Sequence, residues 1–468
     1  MAKAARGIKV LLISAPYGPK TRIITRQFPL GIGYIAAVLR ANGYDVKIAD
    51  LSIKHDRRTF LKLIGDYSPD VVGISCMTQN HQQAFRVAKV VKRALKESTV
   101  VLGGVHGTFM YREVLRDQPD IDIVAIGEGE HTMLELCAQL ESTGRLARLD
   151  TIAGIAYRKN GTTRTTPRRE RIAHLDDLPY PAFDLLAMPG IEAYFTKSRG
   201  LPILTSRGCP FQCAFCSTSV LHGKQYRTRQ PEKIVDEIEH HVKTFGIKNV
   251  YVVDDIFTLD KKRAISVCLE IMRRNLAIKW GCSARVDTIT PELVRIMKKS
   301  GCEAIFLGIE SLDDSLLQKI GKGFTAADAS RAVKLLLDEG MMVDTSFIIG
   351  LPGEDARSIR KIARFVKKYK INGRVLTNSL QVLPGTDICL HPEKFGLEVP
   401  DTYQSDWFQP RSFSSNLTDE DLLKEKIRIQ VAAFEAKDQD GRLFAVDNLE
   451  MDFSRTDFAA LFDDTSAV

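Results

Sequence analysis

Nowhere in these 468 residues does an apolar run approach the eighteen or so that a bilayer-spanning helix needs. A transmembrane segment is therefore not expected. Charge of one sign is also scarce. The 66 Lys and Arg against 58 Asp and Glu leave a formal net charge of +8, and the basic residues are mostly scattered among acids along helical stretches. That balance does not call for a nucleic-acid partner. The first residues hold no apolar segment of the signal-peptide kind, and with nine cysteines this points to a reducing, cytoplasmic setting where thiols serve as ligands rather than in disulfides. Paired CxxC units and histidines at zinc-site spacing are missing around the densest cysteine group. What the chain does have is 44% hydrophobic residues, enough for two or three domains each with its own core.

Cys209-Pro210-Phe211-Gln212-Cys213-Ala214-Phe215-Cys216 follows an apolar run, Leu201 to Leu204, that reads as a short buried strand ending in Thr205-Ser206-Arg207-Gly208. Thiolates select iron-sulfur clusters, zinc or Cu(I), and a cubane cluster normally takes four of them. Three close cysteines without a fourth suggest a cluster with one iron left open; a structural zinc site is the competing reading. The CxxxCxxC spacing, with an aromatic before the last cysteine, resembles the signature of the radical S-adenosylmethionine (SAM) superfamily. The resemblance implies that Cys209, Cys213 and Cys216 hold a 4Fe-4S cluster whose fourth iron is chelated by the amino and carboxylate groups of SAM. Phe215 would lie against the adenine. An electron from the cluster would cleave SAM to methionine and a 5'-deoxyadenosyl radical, which takes a hydrogen atom from an unactivated carbon.

Upstream, short apolar strands fit Ile8 to Ser14, Asp45 to Ala49, Val71 to Ser75, Val100 to Leu102 and Ile123 to Ile126. Helices fit Leu30 to Ala41, Arg57 to Tyr67, His81 to Lys96, Met110 to Asp117 and Glu130 to Ser142. This alternation predicts a doubly wound parallel sheet of the flavodoxin or Rossmann type over residues 1–155, with ligands beyond the carboxyl ends of its strands. The loops there are Ser75-Cys76-Met77-Thr78, Gly103-Gly104-Val105-His106-Gly107 and Gly127-Glu128-Gly129-Glu130. Glycine lets backbone approach a bulky ligand and hydroxyls bond its polar edge, although the same residues suit simple turns. Placed before a radical SAM motif, these loops resemble a cobalamin-binding domain. The resemblance marks Ser75, Met77, Thr78, Gly103, Gly104, His106, Gly127 and Glu128 as cofactor-binding candidates. Members that put a protein histidine on cobalt carry DxHxxG after the first strand, whereas this chain reads Ser14-Ala15-Pro16-Tyr17-Gly18-Pro19. Cobalamin without a histidine ligand is therefore expected, with His106 a loop hydrogen-bonder.

Residues 156–200 read as a linker, with a basic stretch from Asn160 to Arg171 expected as a solvated hairpin or tether and Leu178-Pro179-Tyr180-Pro181-Ala182-Phe183 as a connector. From 201 to 390 the alternation resumes and predicts six strands with crossover helices, a partial (β/α)6 barrel whose active-site groups sit at the carboxyl ends of its strands. Candidates there are Asp254, Asp255, Arg285 and Glu310, with Arg227, Arg229 and the Gly350-Leu351-Pro352-Gly353-Glu354 turn beside them. By the resemblance, Asp254-Asp255 stands where a Gly-Gly-Glu segment binds the SAM amino group, while Arg285 and Glu310 serve the carboxylate and ribose; salt bridges are the alternative for each. Residues 391–468 read as a short helical tail with one amphipathic helix near Thr418 to Lys437, aromatics Tyr403, Trp407 and Phe408, and a disordered end from Asp463.

The combined resemblance implies a cobalamin-dependent radical SAM enzyme. Methyl transfer to a carbon or phosphorus centre is the expected activity. A cyclase of the anaerobic magnesium-protoporphyrin ester type is the alternative, and a non-enzymatic cobalamin sensor would have no use for the three cysteines. Expected partners are a small-molecule or lipid-like substrate and a low-potential electron donor such as flavodoxin or ferredoxin.

Overall fold

The computed structural model describes residues 7–17, 27–53, 57–144, 146–188, 200–399, 412–413 and 416–436, and backbone pairing at 445–446 and 449–450. Strands β1 (Lys9–Ser14), β2 (Asp45–Asp50), β3 (Val71–Ser75), β4 (Thr99–Gly103) and β5 (Ile123–Ala125) are mutually parallel. Helices α1 (Leu30–Ala41), α2 (Arg57–Tyr67), α3 (His81–Ala94), α4 (Gly104–Asp117) and α5 (Glu130–Thr143) connect or follow them. Alternate residues of β1 part to opposite faces. Val10 and Leu12 pack with Ile32 and Ala36 of α1 and Met133 and Leu136 of α5, while Leu11 and Ile13 pack with Phe60 and Ile64 of α2, Ala84 of α3 and Val114 of α4. Both faces are covered, which is why the strands read as unbroken apolar runs rather than alternating ones.

The stretch read as a linker instead completes this sheet. Strands β6 (Ile155–Lys159) and β7 (Thr162–Thr165) form an antiparallel hairpin on β5, and β8 (Leu186–Met188) adds in parallel to β2. The order is β7-β6-β5-β4-β3-β1-β2-β8. Nor is the basic stretch wholly solvated. Arg169 forks onto Glu135, with Nη1 2.8 Å and Nη2 2.5 Å from its carboxylate oxygens, and Nε donates to Thr132. Phe183, fully buried, touches Phe28 of the first domain at 4.4 Å between ring centroids and His241 of the second at 4.9 Å. Its backbone neighbour Ala182 donates to Gly33 O. The connector is thus a wedge shared by both domains.

The second sheet begins at β9 (Leu201–Ile203), which leads into a two-residue ribbon of β10 (Ser206–Arg207) against β11 (Arg227–Thr228). It continues with β12 (Asn249–Val252), β13 (Lys279–Ala284), β14 (Cys302–Glu310), β15 (Met342–Ile349) and β16 (Val375–Ser379). The order β9-β12-β13-β14-β15-β16 is all parallel, the partial barrel expected. Helices Pro231–Phe245, Lys261–Arg273, Pro291–Lys299, Ala326–Asp338 and Ala356–Tyr369 cover its outside. Polar side chains start three of these helices. Asp260, Thr325 and Asp355 accept from the backbone N–H of Arg263, Asp328 and Ser358. A further short helix, Asp314–Lys319, was not foreseen.

Helix Asp419–Ala436 packs on Ala356–Tyr369 through buried Leu422 and Ile429 and an Arg360–Glu425 ion pair at 3.0 Å. Thr418 caps it as expected, its Oγ1 accepting from Asp421 N. Tyr403, Trp407, Phe408 and the segment from Asp463 lie outside the described residues. Among the described residues no helix is long and apolar enough to cross a membrane, and the nine cysteines form no disulfide.

Candidate functional site at the domain junction

The cysteine loop starts from a position only glycine fits. Gly208 has φ +96°, and a Cβ there would lie 2.2 Å from Gln225 O. The turn is then pinned by backbone bonds, Cys209 N to Gly223 O at 3.1 Å, Ala214 N to Ile320 O at 3.0 Å and Cys216 N to Cys213 O at 3.0 Å. Burial pushes the Cys209 thiol up to about 11 and the Cys213 thiol up as well, against the pull of Lys322 and Arg285 on the latter. Among the described residues no three Cys, His, Asp or Glu side chains gather as ligands of a single metal ion. One zinc ion would require that gathering; a cubane, which takes each thiolate on a different iron, does not. Three half-buried thiols in one pinned loop, with cations beside them, fit the cluster.

Beside that loop lie the ends of β13 and β14. Arg285 is buried, with its guanidinium 3.7 Å above the Phe211 ring and its Nε donating to Asp287 at 2.8 Å. Glu310 is buried at a bulge in the β14–β15 register, with φ +69°. That backbone region is costly for a side-chain-bearing residue and is commonly kept at working sites. Its carboxylate accepts from Lys322 Nζ and Ser346 Oγ, each at 3.3 Å. Lys322 stands 6.0 Å from the centroid of the half-buried Phe215 ring and 5.3 Å from that of Phe324. Sequence reasoning passed over Lys322. The signal was the Gly321-Lys322-Gly323 turn, whose glycines adopt φ +73° and +71° and set the lysine against the cysteine loop.

The Asp254-Asp255 pair divides. Asp254 is 1% exposed, and its carboxylate accepts from Thr205 N at 2.6 Å, Ser206 N at 3.1 Å and both of their hydroxyls. It ties the start of the ribbon and presents no free oxygen to a ligand. Asp255 opens into a cavity and, among the described residues, accepts only from Thr218 Oγ1 at 3.2 Å. It is exposed by area, but to cavity space; the protein around it pushes the carboxyl up to about 6. Glu354 closes its own turn, Oε2 accepting from Gly350 N at 2.6 Å and Leu351 N at 3.1 Å, and burial pushes it up to about 8.

That cavity, about 330 Å³, joins the two domains. Its first-domain wall includes Ser75, Met77, Gly103, Gly104, Gly127 and Glu128, and it runs inward past Gly73, Val101 and Met133 between the sheet and helices α1 and α5. Its barrel wall includes Ser206, Arg207, His222 and Asp255. Gly104 has φ +91°, and a Cβ would sit 2.6 Å from Cys76 O, so the loop can lie this close only as glycine. Thr78 and His106 stand behind the wall instead of in it. His106 is no loop residue, because α4 starts already at Gly104. Its ring is buried against His81, 4.5 Å between centroids, Nδ1 has no partner among the described residues, and burial pushes the imidazole down to about 3. His222 was not foreseen at all. It hangs from the far end of the cysteine loop, and burial, helped by Arg207, pushes it down to about 4.

Glu128 lines the cavity, yet its carboxylate faces the barrel's arginines. Arg227 forks onto it with Nη2 2.6 Å and Nη1 3.1 Å away, Arg207 Nη1 lies 3.3 Å away, and Ile172 N donates at 2.8 Å. Burial raises the carboxyl, but these donors outweigh it and hold it down at about 2. Arg229, the other arginine of the Tyr226–Arg229 stretch, turns to Glu237 and Asp176.

The B12 binding domain family matches residues 23–137, and the Radical SAM superfamily matches residues 203–366. An uncharacterized methyltransferase of Pyrococcus horikoshii is 38% identical over 371 residues, 78% of this chain and 79% of that protein. The anaerobic magnesium-protoporphyrin IX monomethyl ester cyclase of Rubrivivax gelatinosus is 32% identical over 73% of this chain and 62% of its own length. Among solved structures, the radical SAM methyltransferase TsrM of Kitasatospora setae, with cobalamin and a [4Fe-4S] cluster bound, superposes at TM-score 0.69 with 20% identity over 85% of this chain and 76% of its own. OxsB, a cobalamin-dependent SAM radical enzyme, superposes at 0.67 with 21% identity over 84% of this chain and 56% of its own. At such identities those two likenesses speak for the fold. The matched domains fall on the two sheets whose carboxyl ends meet at the cavity, and together with the Pyrococcus relative they place the chain among the radical SAM enzymes that carry a B12-binding domain.

Proposed function

We propose that the chain is a cobalamin-dependent radical SAM methylase acting on a carbon or phosphorus centre of a small or lipid-like molecule. The observation that carries this is the cavity walled on one side by Ser75, Gly103, Gly104 and Gly127 and on the other by Asp255 and by Arg207 and His222, which flank the loop of Cys209, Cys213 and Cys216 in the chain. With both groups bound, cobalamin supplies a methyl carrier charged from one SAM, and the cluster supplies the electron that cleaves another. The chain's own part is placement. Gly104 lets the first-domain loop approach, the pinned cysteine loop offers three thiolates, and Glu310, Lys322, Arg285 and Phe215 line the place for SAM. Asp255 is the acidic group left open to the junction, where it can accept from an amine or hydroxyl.

A second reading, oxidative cyclisation without methyl transfer, is favoured by the similarity to the Rubrivivax cyclase. The thiols fit a cytoplasmic location, and electrons would come from a flavodoxin- or ferredoxin-type donor. The test is anaerobic reconstitution with iron, sulfide and hydroxocobalamin, followed by SAM and a low-potential reductant. The methylase reading expects retained cobalamin, formation of 5'-deoxyadenosine, and S-adenosylhomocysteine only when cobalamin is present. 5'-Deoxyadenosine without S-adenosylhomocysteine, in protein holding both cofactors, supports the cyclase instead.

A further inference from the structure

We infer that Glu128, Glu130, Arg207 and Arg227 form a charge clamp that sets the distance and angle between the two cofactor loops, so that they act as positioning residues for transfer across the junction; this rests on the methylase reading above. Both glutamates belong to the loop after β5 and the first turn of α5, and both border the cavity. Both arginines belong to the ribbon that brackets the cysteine loop, where Arg207 pairs in register with Arg227 and stands just before Gly208 and Cys209. Arg207 Nη2 meets Glu130 Oε1 at 2.6 Å, Arg207 Nη1 meets Glu128 at 3.3 Å, and Arg227 forks onto Glu128. All four side chains are 7% exposed or less, and the two negative charges balance the two positive ones.

Simple stability does not account for such a group. Taking four charges out of water costs about as much as their pairing returns, and packed apolar residues would hold a junction at least as firmly. What a forked, charge-assisted pair adds is direction, since guanidinium and carboxylate must be coplanar and in register. The surroundings reinforce this. Arg227 also donates to Ile172 O at 2.6 Å and His222 O at 3.2 Å, and Gly129 packs so tightly that a Cβ would sit 2.8 Å from Ile35 Cδ1. With its arginines neutralised in this way, the cavity keeps no free cation from the clamp for an anionic substrate.

The test compares wild type with Arg227→Gln and the milder Arg227→Lys, each reconstituted with cluster and cobalamin. Pulsed electron paramagnetic resonance of cob(II)alamin and the reduced cluster should give one narrow distance in wild type and a broadened distribution in Arg227→Gln, with Arg227→Lys in between. Misplacement by an ångström can cost about 100-fold in rate, so methylated product per 5'-deoxyadenosine should fall by up to that factor while SAM cleavage persists. An unchanged distance distribution and product ratio in a fully loaded Arg227→Gln protein would overturn the clamp. A readout free of cofactors separates its failure from that of the methylase reading. In calorimetry of the apo protein, wild type should unfold in one transition and Arg227→Gln in two, and a single unshifted transition in the variant would again count against it. If Arg227→Gln does not fold, Glu130→Gln carries the same comparison.

Discussion

At the residue scale the proposed chemistry rests on three thiols and a few charged side chains. Replacing Cys209, Cys213 and Cys216 together by Ala should leave the fold intact, because the loop is pinned by its backbone, and abolish iron and sulfide uptake. Retention of a full complement of both, measured after anaerobic reconstitution, would refute the assignment. Glu128 offers a pH test. Its carboxyl lies at about 2 in the folded protein against an ordinary 4.5, so the unfolded chain binds the proton first as pH falls. The stabilisation is therefore complete above about pH 4.5 and lost as pH falls toward 2, about 3 kcal/mol in all. Denaturant titrations should show that loss in wild type and its absence in Glu128→Gln. At neutral pH the variant should be less stable by about 3–5 kcal/mol, since Arg207 and Arg227 would remain buried beside an uncharged partner.

These residues differ in how legible they were. The cysteines announce themselves by spacing within one loop, and Gly103-Gly104 by the need for close backbone approach. Asp254 and Asp255 look alike in sequence, and only the fold turns one toward Thr205 and Ser206 and the other into the cavity. The Glu128–Arg227 pair spans 99 positions, and no local pattern announces a pairing across two domains. Lys322 was hidden for a different reason: two glycines of positive φ set it against the cysteine loop, and no local pattern points from that turn to a loop so distant in the chain.

At the scale of elements, buried strands with both faces covered were legible because apolar continuity and alternation with helices mark them directly. The edge strands were not. β7 is Thr162-Thr163-Arg164-Thr165, exposed along most of its length; a solvated hairpin was one reading of this stretch, and the two positive φ values of Asn160-Gly161 make it, but its polar composition gave no sign that β6 carries it onto β5. β8 is three residues long and belongs to the sheet only through a tertiary contact with β2. The start of α4 was placed six residues late, since glycines at its first turn read as loop, and the helix is kinked at Met110 where the periodicity resumes. Its close approach to Cys76 gives a direct test. Gly104→Ala would bring a Cβ within 2.6 Å of Cys76 O at φ +91°. The variant should lose about 1–3 kcal/mol of stability and bind cobalamin more weakly, by denaturant unfolding and absorbance titration. Wild-type cobalamin affinity in this variant would mean that the loop does not touch the cofactor.

At the scale of the whole molecule, the two sheets are set with their carboxyl ends toward one cavity, wedged by Phe183 and bound by the arginine ribbon. The first domain carries no DxHxxG after β1, and His106 lies behind the cavity wall with its ring held neutral. Cobalamin bound there should show no protein nitrogen on cobalt, and His106→Ala should leave its spectrum unchanged; a nitrogen ligand lost in that variant would contradict the placement. The central claim is that methyl carriage and radical generation share this junction. It is tested most directly by giving the doubly loaded enzyme SAM labelled in its methyl group, with reductant, and following the label. The account predicts that the label moves first onto protein-bound cobalamin while S-adenosylhomocysteine and 5'-deoxyadenosine accumulate together. Label that stays entirely on methionine, with 5'-deoxyadenosine as the sole nucleoside product, would contradict it.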